Sequence, residues 1–130
     1  MKIVYLKTGS FLLLLGVFLG AFAAHGLKDK LPADSLMSFD TGTRYMIYHG
    51  LAMLCLGTLS LNKNKTNLFF YRFLLIGVSL FSGSIFLLST KSLTGIHISF
   101  LVPITPTGGF IIISCWAYFA FKLNKILETN

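Results

Sequence analysis

The sequence contains few charged residues for its length. Only 12% of its 130 residues are charged, and just four are acids. A soluble domain carries about 25% charged residues, so this chain has too few ionic groups to cover a water-soluble surface. Because 55% of the residues are hydrophobic, we expect lipid to contact much of the folded surface.

Motifs for catalysis and metal binding are also lacking. The two cysteines, Cys55 and Cys115, lie in apolar segments without a CxxC pair, which predicts small hydrophobic side chains within the membrane and neither a disulfide nor a metal site. There is no HxxxH pair, Ser-His-Asp order, phosphate loop or nucleotide fingerprint. The net charge of +7 comes from basic residues scattered between apolar stretches, which argues against a nucleic-acid partner. We therefore predict no enzymatic activity and no cofactor.

Four long apolar stretches dominate the chain instead. A helix needs roughly 20 residues to cross about 30 Å of hydrocarbon, and the stretches suit four spans, near 8–27, 45–61, 69–90 and 104–123. They are apolar on every face, which favours helices over membrane strands of alternating polarity. The sequence predicts one transmembrane domain over residues 1–130, an all-α integral membrane four-helix bundle.

Basic residues near the span ends predict the orientation, because they are retained on the cytoplasmic side. With both termini in the cytoplasm, seven basic residues lie inside: Lys2, Lys7, Lys63, Lys65, Arg72, Lys122 and Lys125. Four lie outside: Lys28, Lys30, Arg44 and Lys91. This excess favours an N-in, C-in topology.

The first span also has the features of a cleavable signal peptide, with Ala21-Phe22-Ala23 as the cleavage site. Against cleavage, Gly16, Gly20 and Ala24 recur every four residues, which predicts a helix-packing face. Between spans one and two, Pro32 and the near-helical spacing of Leu36 and Phe39 predict a short interfacial helix. This helix either lies along the outer headgroups or extends span two outward, with Thr41-Gly42-Thr43 as the joint.

This topology gathers polar residues at the outer ends of the spans and leaves the inner half nearly all apolar. The candidate pocket comprises His25, Arg44, Tyr45, Tyr48, His49, Ser82, Ser84, Thr105, Gly108 and Gly109. Polar side chains at membrane depth face protein or water, which makes such a cluster a candidate site.

Structural roles compete with the pocket at each position. The serines and Gly83 suit helix packing. His25 and His49 suit an interhelical hydrogen bond, a proton or solute site, or haem or metal ligation. Arg44 either pairs with Asp40 four residues earlier or binds an anionic headgroup or solute. His97 is predicted to be a solvated loop residue.

Four ordered motifs resemble those of a known family. They are GAFAAHGL at 20–27, TGxRYxxYH at 41–49, FSGS at 81–84 and ITPxGG at 104–109. Together they resemble the YgdD/YwdK-like family of small bacterial membrane proteins, domain of unknown function 423, over nearly the whole chain. The resemblance implies a multi-pass, four-helix protein of the bacterial inner membrane whose activity has not been assigned. The chain departs from the family pattern at Ala23, where Gly is common, and His97 matches no family motif.

Three functional hypotheses remain open from the sequence. The first is a non-enzymatic accessory or assembly component that contacts membrane lipids and associates with itself or a larger complex. The second is binding or transport of a lipid headgroup or small solute in the outward-facing pocket. The third is a carrier of haem or metal through histidine.

Overall fold

The computed structural model describes residues 1–59, 61, 64–95 and 99–126. Its elements follow in the order α1 (Lys2–Phe22), a π-helical turn (Ala23–Leu27), α2 (Ala33–Thr58), α3 (Lys65–Ser89), α4 (Lys91–Thr94), a 3-10 turn (Ser99–Leu101) and α5 (Ile104–Ile126). The predicted all-α class is confirmed. Lys63, one of the basic residues predicted to lie in the cytoplasm, and His97, predicted to be a loop residue, lie outside the described residues.

Local sequence explains several helix boundaries. Pro32, predicted to open a helix, is the residue immediately before α2. The Asn64 side chain accepts a hydrogen bond of 2.8 Å from the backbone N–H of Asn67 and so caps the start of α3. Gly95 ends α4 with φ at 66°, in the left-handed region that favours glycine.

Three helical segments are long and apolar enough to cross a membrane: Lys2–Leu27, Lys65–Ser89 and Ser99–Ile126. They overlap the predicted spans at 8–27, 69–90 and 104–123. The shortest has 25 residues, roughly 37 Å at 1.5 Å per residue, which exceeds the hydrocarbon thickness of about 30 Å.

Helix α2 is equally long, with 26 residues, but it is less apolar than the other three. It contains Asp34, Asp40 and Arg44 and is not among the segments that qualify by length and composition. It runs without interruption from Ala33 to Thr58, so residues 33–44 extend the predicted second span and do not form a separate short helix. Gly42 does not break α2 because it is buried against α3, where a Cβ would lie 2.9 Å from the Phe86 ring.

Glycine lets α1 and α2 pack at backbone distance. A Cβ on Gly9 would lie 2.7 Å from the carbonyl oxygen of Gly50, and one on Gly50 would lie 3.1 Å from that of Gly9. Further along the same pair, Gly57 faces Leu6. Small residues at such contacts allow the close van der Waals packing that associates helices in lipid.

The remaining contacts place α2 and α3 side by side, with α1 against α2 and α5 against α3. The main core lies among these helices, and its completely buried members include Tyr5, Met53, Phe70, Leu74 and Val78. A smaller apolar cluster of Ala23, Leu27, Leu31 and Phe39 joins the π-helical turn to the start of α2.

The two ends of the helix assembly can be named from their contacts. At the Tyr5 end, Tyr5 of α1 bonds Asn67 of α3, and the Asn64 side chain donates to the backbone carbonyl of Lys125 in α5. The His25 end holds the π-helical turn, the start of α2 and the end of α3. Both termini of the described chain therefore lie towards the Tyr5 end.

Large apolar side chains cover the outside of the helices. Phe18 of α1 is 65% exposed, and Phe110 and Phe121 of α5 are 71% and 87% exposed. Soluble proteins rarely present apolar surface on this scale. These side chains are suited to contact lipid hydrocarbon.

Candidate functional site

Two of the predicted pocket serines connect helices at the His25 end. The hydroxyl of Ser82, which is completely buried in α3, donates to the carbonyl of Gly42 in α2 at 2.9 Å. The hydroxyls of Ser84 in α3 and Thr105 in α5 share a hydrogen bond of 2.6 Å. Ser84 also donates to the carbonyl of Phe81 in its own helix. These hydroxyls join α3 to α2 and to α5.

The two predicted pocket glycines of α5 lie against Phe81 of α3. A Cβ on Gly108 would lie 2.5 Å from the backbone nitrogen of Phe81 and 3.0 Å from the carbonyl oxygen of Gly77. A Cβ on Gly109 would lie 3.5 Å from the nearest Phe81 ring atoms, which is ordinary contact. Gly108 therefore serves a backbone-to-backbone contact, whereas the position of Gly109 has room for a methyl group.

His49 has both ring nitrogens engaged. The indole N–H of Trp116 in α5 donates to Nε2 at 3.2 Å, and Nδ1 lies 2.7 Å from the carbonyl oxygen of Tyr45. An indole can only donate and a carbonyl can only accept. These partners assign His49 the neutral form with its proton on Nδ1. In that arrangement neither nitrogen has a free lone pair to ligate haem or metal.

The other predicted pocket residues of α2 face outward. Arg44 forms the predicted ion pair with Asp40 at 3.0 Å, and both side chains are more than half exposed. The Tyr45 ring packs against Phe81 with a centroid distance of 4.7 Å and is 40% exposed. Tyr48 is 57% exposed. Arg44 and Tyr48 are therefore available to lipid or a partner.

His25 is exposed in the π-helical turn, whereas His49 is buried in α2. The described residues contain no group of three or more His, Cys, Asp or Glu side chains arranged for a metal ion. Cys115 is buried in α5 and Cys55 is exposed in α2, and both thiols are free. The structure thus brings together Ser82, Ser84, Thr105, Gly108 and part of α2, and leaves His25 outside this group.

The predicted helix-packing residues divide into two groups. Gly16 and Gly20 face α2, where a Cβ would lie 2.6 Å from the Ile47 side chain and 3.3 Å from that of Thr43, respectively. Ala24 is exposed in the π-helical turn. A Cβ on Gly83 would meet nothing within 4 Å, so Gly83 makes no close approach within the monomer.

The Tyr5 end is more polar than predicted from the sequence. The hydroxyl of Tyr5 donates to the side-chain oxygen of Asn67 at 2.7 Å, and both residues are completely buried. The hydroxyls of Thr8 and Tyr71 share a second hydrogen bond of 2.7 Å between α1 and α3. Tyr5 and Thr8 are three residues apart in α1, and Asn67 and Tyr71 are four residues apart in α3. These spacings place the two polar residues of each helix on one face, which is the sequence signal that could have predicted the contact. Trp116 was also missed, because nothing in its own segment indicates a partner in α2.

Several grooves are open on the surface, and two of them have a serine of α3 in their lining. The first, called the α1–α3 groove, has a volume of about 530 Å³ and is lined mainly by apolar side chains, with Ser79 and Gly83 on its α3 wall. The second, called the Ser89 groove, has a volume of about 420 Å³ and lies where α2, the end of α3, α4 and the start of α5 meet. Of the predicted pocket residues, only Thr105 lines the Ser89 groove.

Comparisons with known proteins agree with this architecture. A family model described as "Protein of unknown function (DUF423)" matches residues 19–109, a range that includes all four motifs. A UPF0382 membrane protein of Haemophilus influenzae is 38% identical over 113 residues, covering 85% of this chain and 87% of that protein. UPF0382 membrane protein YwdK of Bacillus subtilis is 36% identical over 128 residues, covering 95% and 98%.

A third relative is named for its membrane. The UPF0382 inner membrane protein YgdD of Escherichia coli is 34% identical over 104 residues, covering 78% of this chain and 74% of that protein. No solved structure matches the chain. The relatives' names describe membrane proteins and assign them no activity.

Proposed function

The chain belongs to the DUF423 family of membrane proteins of unknown function, and from that premise we propose that it is a non-enzymatic component of the bacterial cytoplasmic membrane. It acts through lateral contacts with protein inside the bilayer. In its simplest form, the partner is a second copy of the same chain.

The hydrogen bonding of the buried polar groups supports a non-enzymatic role. Every buried side-chain nitrogen and oxygen atom of the described residues has a hydrogen-bond partner. His49, Ser82 and Ser84 are all engaged with backbone or side-chain groups of the protein itself. A catalytic acid, base or nucleophile must instead reach a substrate from a cavity. These side chains serve the fold.

The open position of Gly83 is the observation that carries the proposal. Glycine inside a helix costs about 1 kcal/mol relative to alanine, and Gly9, Gly50 and Gly108 offset that cost through close backbone contacts. Gly83 makes no such contact within the monomer. It lies four residues after Ser79, and both line the α1–α3 groove. Two small residues at this spacing let a second helix approach closely in lipid.

A second copy fits this surface through two-fold symmetry. In a two-fold dimer the same patch meets itself, so the Ser79 and Gly83 face of α3 would cross the same face of the partner copy. Phe11 and Leu15 of α1 border the groove and would cover the sides of such a crossing.

The packing of α2 supports four membrane crossings. Its contacts with α1 extend from Gly50 against Gly9 to Thr43 against Gly20, so α2 runs alongside a helix that is itself long enough to cross. The termini lie at one end, and the excess of basic residues near the Tyr5 end supports placing that end in the cytoplasm. Residues 33–44 then extend α2 towards the outer surface.

Cysteine crosslinking in native membranes tests the dimer. Both native cysteines are first replaced by serine, and Ser79→Cys is introduced on the groove face. Ile113→Cys is the matched control, because Ile113 is 70% exposed on α5 and lies within about one turn of the same depth, given that Gly77 contacts Ile112. Mild oxidation should produce a disulfide-linked dimer from Ser79→Cys and far less from Ile113→Cys.

Adding Gly83→Leu to Ser79→Cys should abolish the crosslink without unfolding the monomer, because a Cβ at position 83 would meet nothing within 4 Å and the position lines the open groove. Equal crosslinking at the two positions would overturn the proposed interface. A photocrosslinker at position 79 that captures only lipid would overturn lateral protein contact altogether.

A further inference from the structure

We propose that the Ser89 groove binds the zwitterionic headgroup of a phosphoethanolamine lipid. The groove is separate from the α1–α3 groove, and the inference does not depend on the proposed dimer. Its walls come from four different helices, which bring together residues far apart in the chain.

The hydroxyl of Ser89 is available to bind a ligand in the groove. Ser89 is only 5% exposed and lines the groove, yet among the described residues its side chain has no hydrogen bond to protein. By contrast, neighbouring Ser84 and Thr90 each donate to a carbonyl in α3. Since every buried side-chain oxygen of the described residues has a partner, the unpaired Ser89 hydroxyl must be the part of this otherwise buried residue that is open to the groove. The Ser89 hydroxyl therefore has an unused hydrogen-bonding capacity directed at the groove.

Charges of both signs line the same groove. Asp34 extends from the first turn of α2 and Lys91 from α4. Within the described part of the chain, the one ion pair joins Arg44 to Asp40, so Asp34 and Lys91 do not neutralise each other. An anion and a cation that line one groove without pairing suit a ligand that carries both charges.

The charges match the two ends of a phosphoethanolamine group. Lys91 can bind the phosphate, whose oxygens also accept a hydrogen bond from the Ser89 hydroxyl. Asp34 can accept hydrogen bonds from the primary ammonium group. A choline headgroup has no N–H to donate, and a glycerol headgroup has no cation, so neither completes this set of contacts.

The depth of the groove favours a lipid over a free solute. Ser89 is the last residue of a membrane-spanning segment, which places the charged side chains at the level of the headgroups. Ile85, one turn deeper in α3, together with Leu88 and Val102, gives the groove an apolar wall. This change from charged to apolar lining suits a headgroup with its acyl chains alongside.

Binding can be measured by native mass spectrometry of the full chain in detergent, titrated with phosphatidylethanolamine, phosphatidylglycerol or phosphatidylcholine of the same acyl chains. The wild-type chain should prefer phosphatidylethanolamine. Asp34→Asn should weaken its binding about tenfold, the loss expected for one charge-assisted hydrogen bond, and should leave phosphatidylglycerol unaffected. Lys91→Gln should weaken both lipids, and Ser89→Ala should weaken them less.

Asp29→Asn and Lys30→Gln are the matched controls, because both residues are exposed at the same end of the protein and lie outside the groove. Equal binding of the three lipids, or equal losses in the controls, would overturn the inference. Binding of free phosphoethanolamine as tight as that of the lipid would show a soluble-solute site and overturn the lipid assignment. The Ser79→Cys crosslink should persist in Asp34→Asn, so failure of one proposal is distinguishable from failure of the other.

Discussion

Replacing Gly108 by alanine tests the closest contact between α3 and α5. The added Cβ would lie 2.5 Å from the backbone nitrogen of Phe81 and 2.9 Å from its Cα. Both are backbone atoms of a helix, so no side chain can rotate aside. Ordinary contact begins at 3.4 Å, and the two helices must therefore separate to accommodate one methyl group.

The neighbouring glycine provides the matched control. A Cβ on Gly109 would lie at 3.5 Å from the Phe81 ring, which is already ordinary contact. Both replacements gain about 1 kcal/mol of helix propensity, so this gain cancels when the variants are compared. Overpacking costs about 1–3 kcal/mol, and we expect Gly108→Ala to be less stable than Gly109→Ala by that amount.

The free energy of unfolding can be measured by titrating dodecyl sulfate into the protein in mixed micelles. The single tryptophan, Trp116, is a suitable reporter because it lies in α5 with its ring 5.8 Å from that of Phe70 in α3. Gly109→Ala should be as stable as the wild type or more so. Equal stability of the two variants would refute the close α3–α5 approach at Gly108.

Two further predictions address the hydrogen bonding of α2 and the membrane orientation. His49→Leu and Trp116→Phe should each lower the free energy of unfolding, measured by far-ultraviolet circular dichroism. The double variant should lose less than the sum of the two single losses, by about 0.6 kcal/mol and at most about 1.7 kcal/mol. Strictly additive losses would show that the indole N–H does not bond the imidazole. In a chain without native cysteines, a membrane-impermeant maleimide should label Lys28→Cys in intact cells and Lys125→Cys only after permeabilisation. The reverse pattern would place the Tyr5 end outside.

The sequence was sufficient for features that depend on neighbouring residues. Long uninterrupted apolar stretches predict helices because lipid leaves backbone groups no other partner, and three of the four predicted spans overlap segments that qualify to cross. The Asp40–Arg44 ion pair was predictable because a spacing of four residues places both side chains on one helical face. The contacts of Gly16 and Gly20 with α2 follow from their spacing in the same way.

Features that depend on helix rotation were not accessible from the sequence. A helix that is apolar all round gives no indication of which face is buried, so the bond from Trp116 to His49, 67 residues apart, could not be predicted. The continuity of α2 through Gly42 depends on α3 filling the space beside it. The Ser89 groove requires four helices to be assembled before its lining residues meet.

Helix α3 shows how the fold and the proposed contacts share one element. Asn67 and Tyr71 bond α1, Ser82 bonds α2 and Ser84 bonds α5, so α3 is fixed against all three neighbours. Polar side chains that hold helices in lipid need these partners, because each unpaired group is costly there. Gly83 and Ser89 lie in the same helix without a comparable contact. Gly83 lacks a close packing contact within the monomer, and the Ser89 hydroxyl lacks a hydrogen bond to the described residues. These two positions are therefore where we propose that a partner helix and a lipid contact the protein.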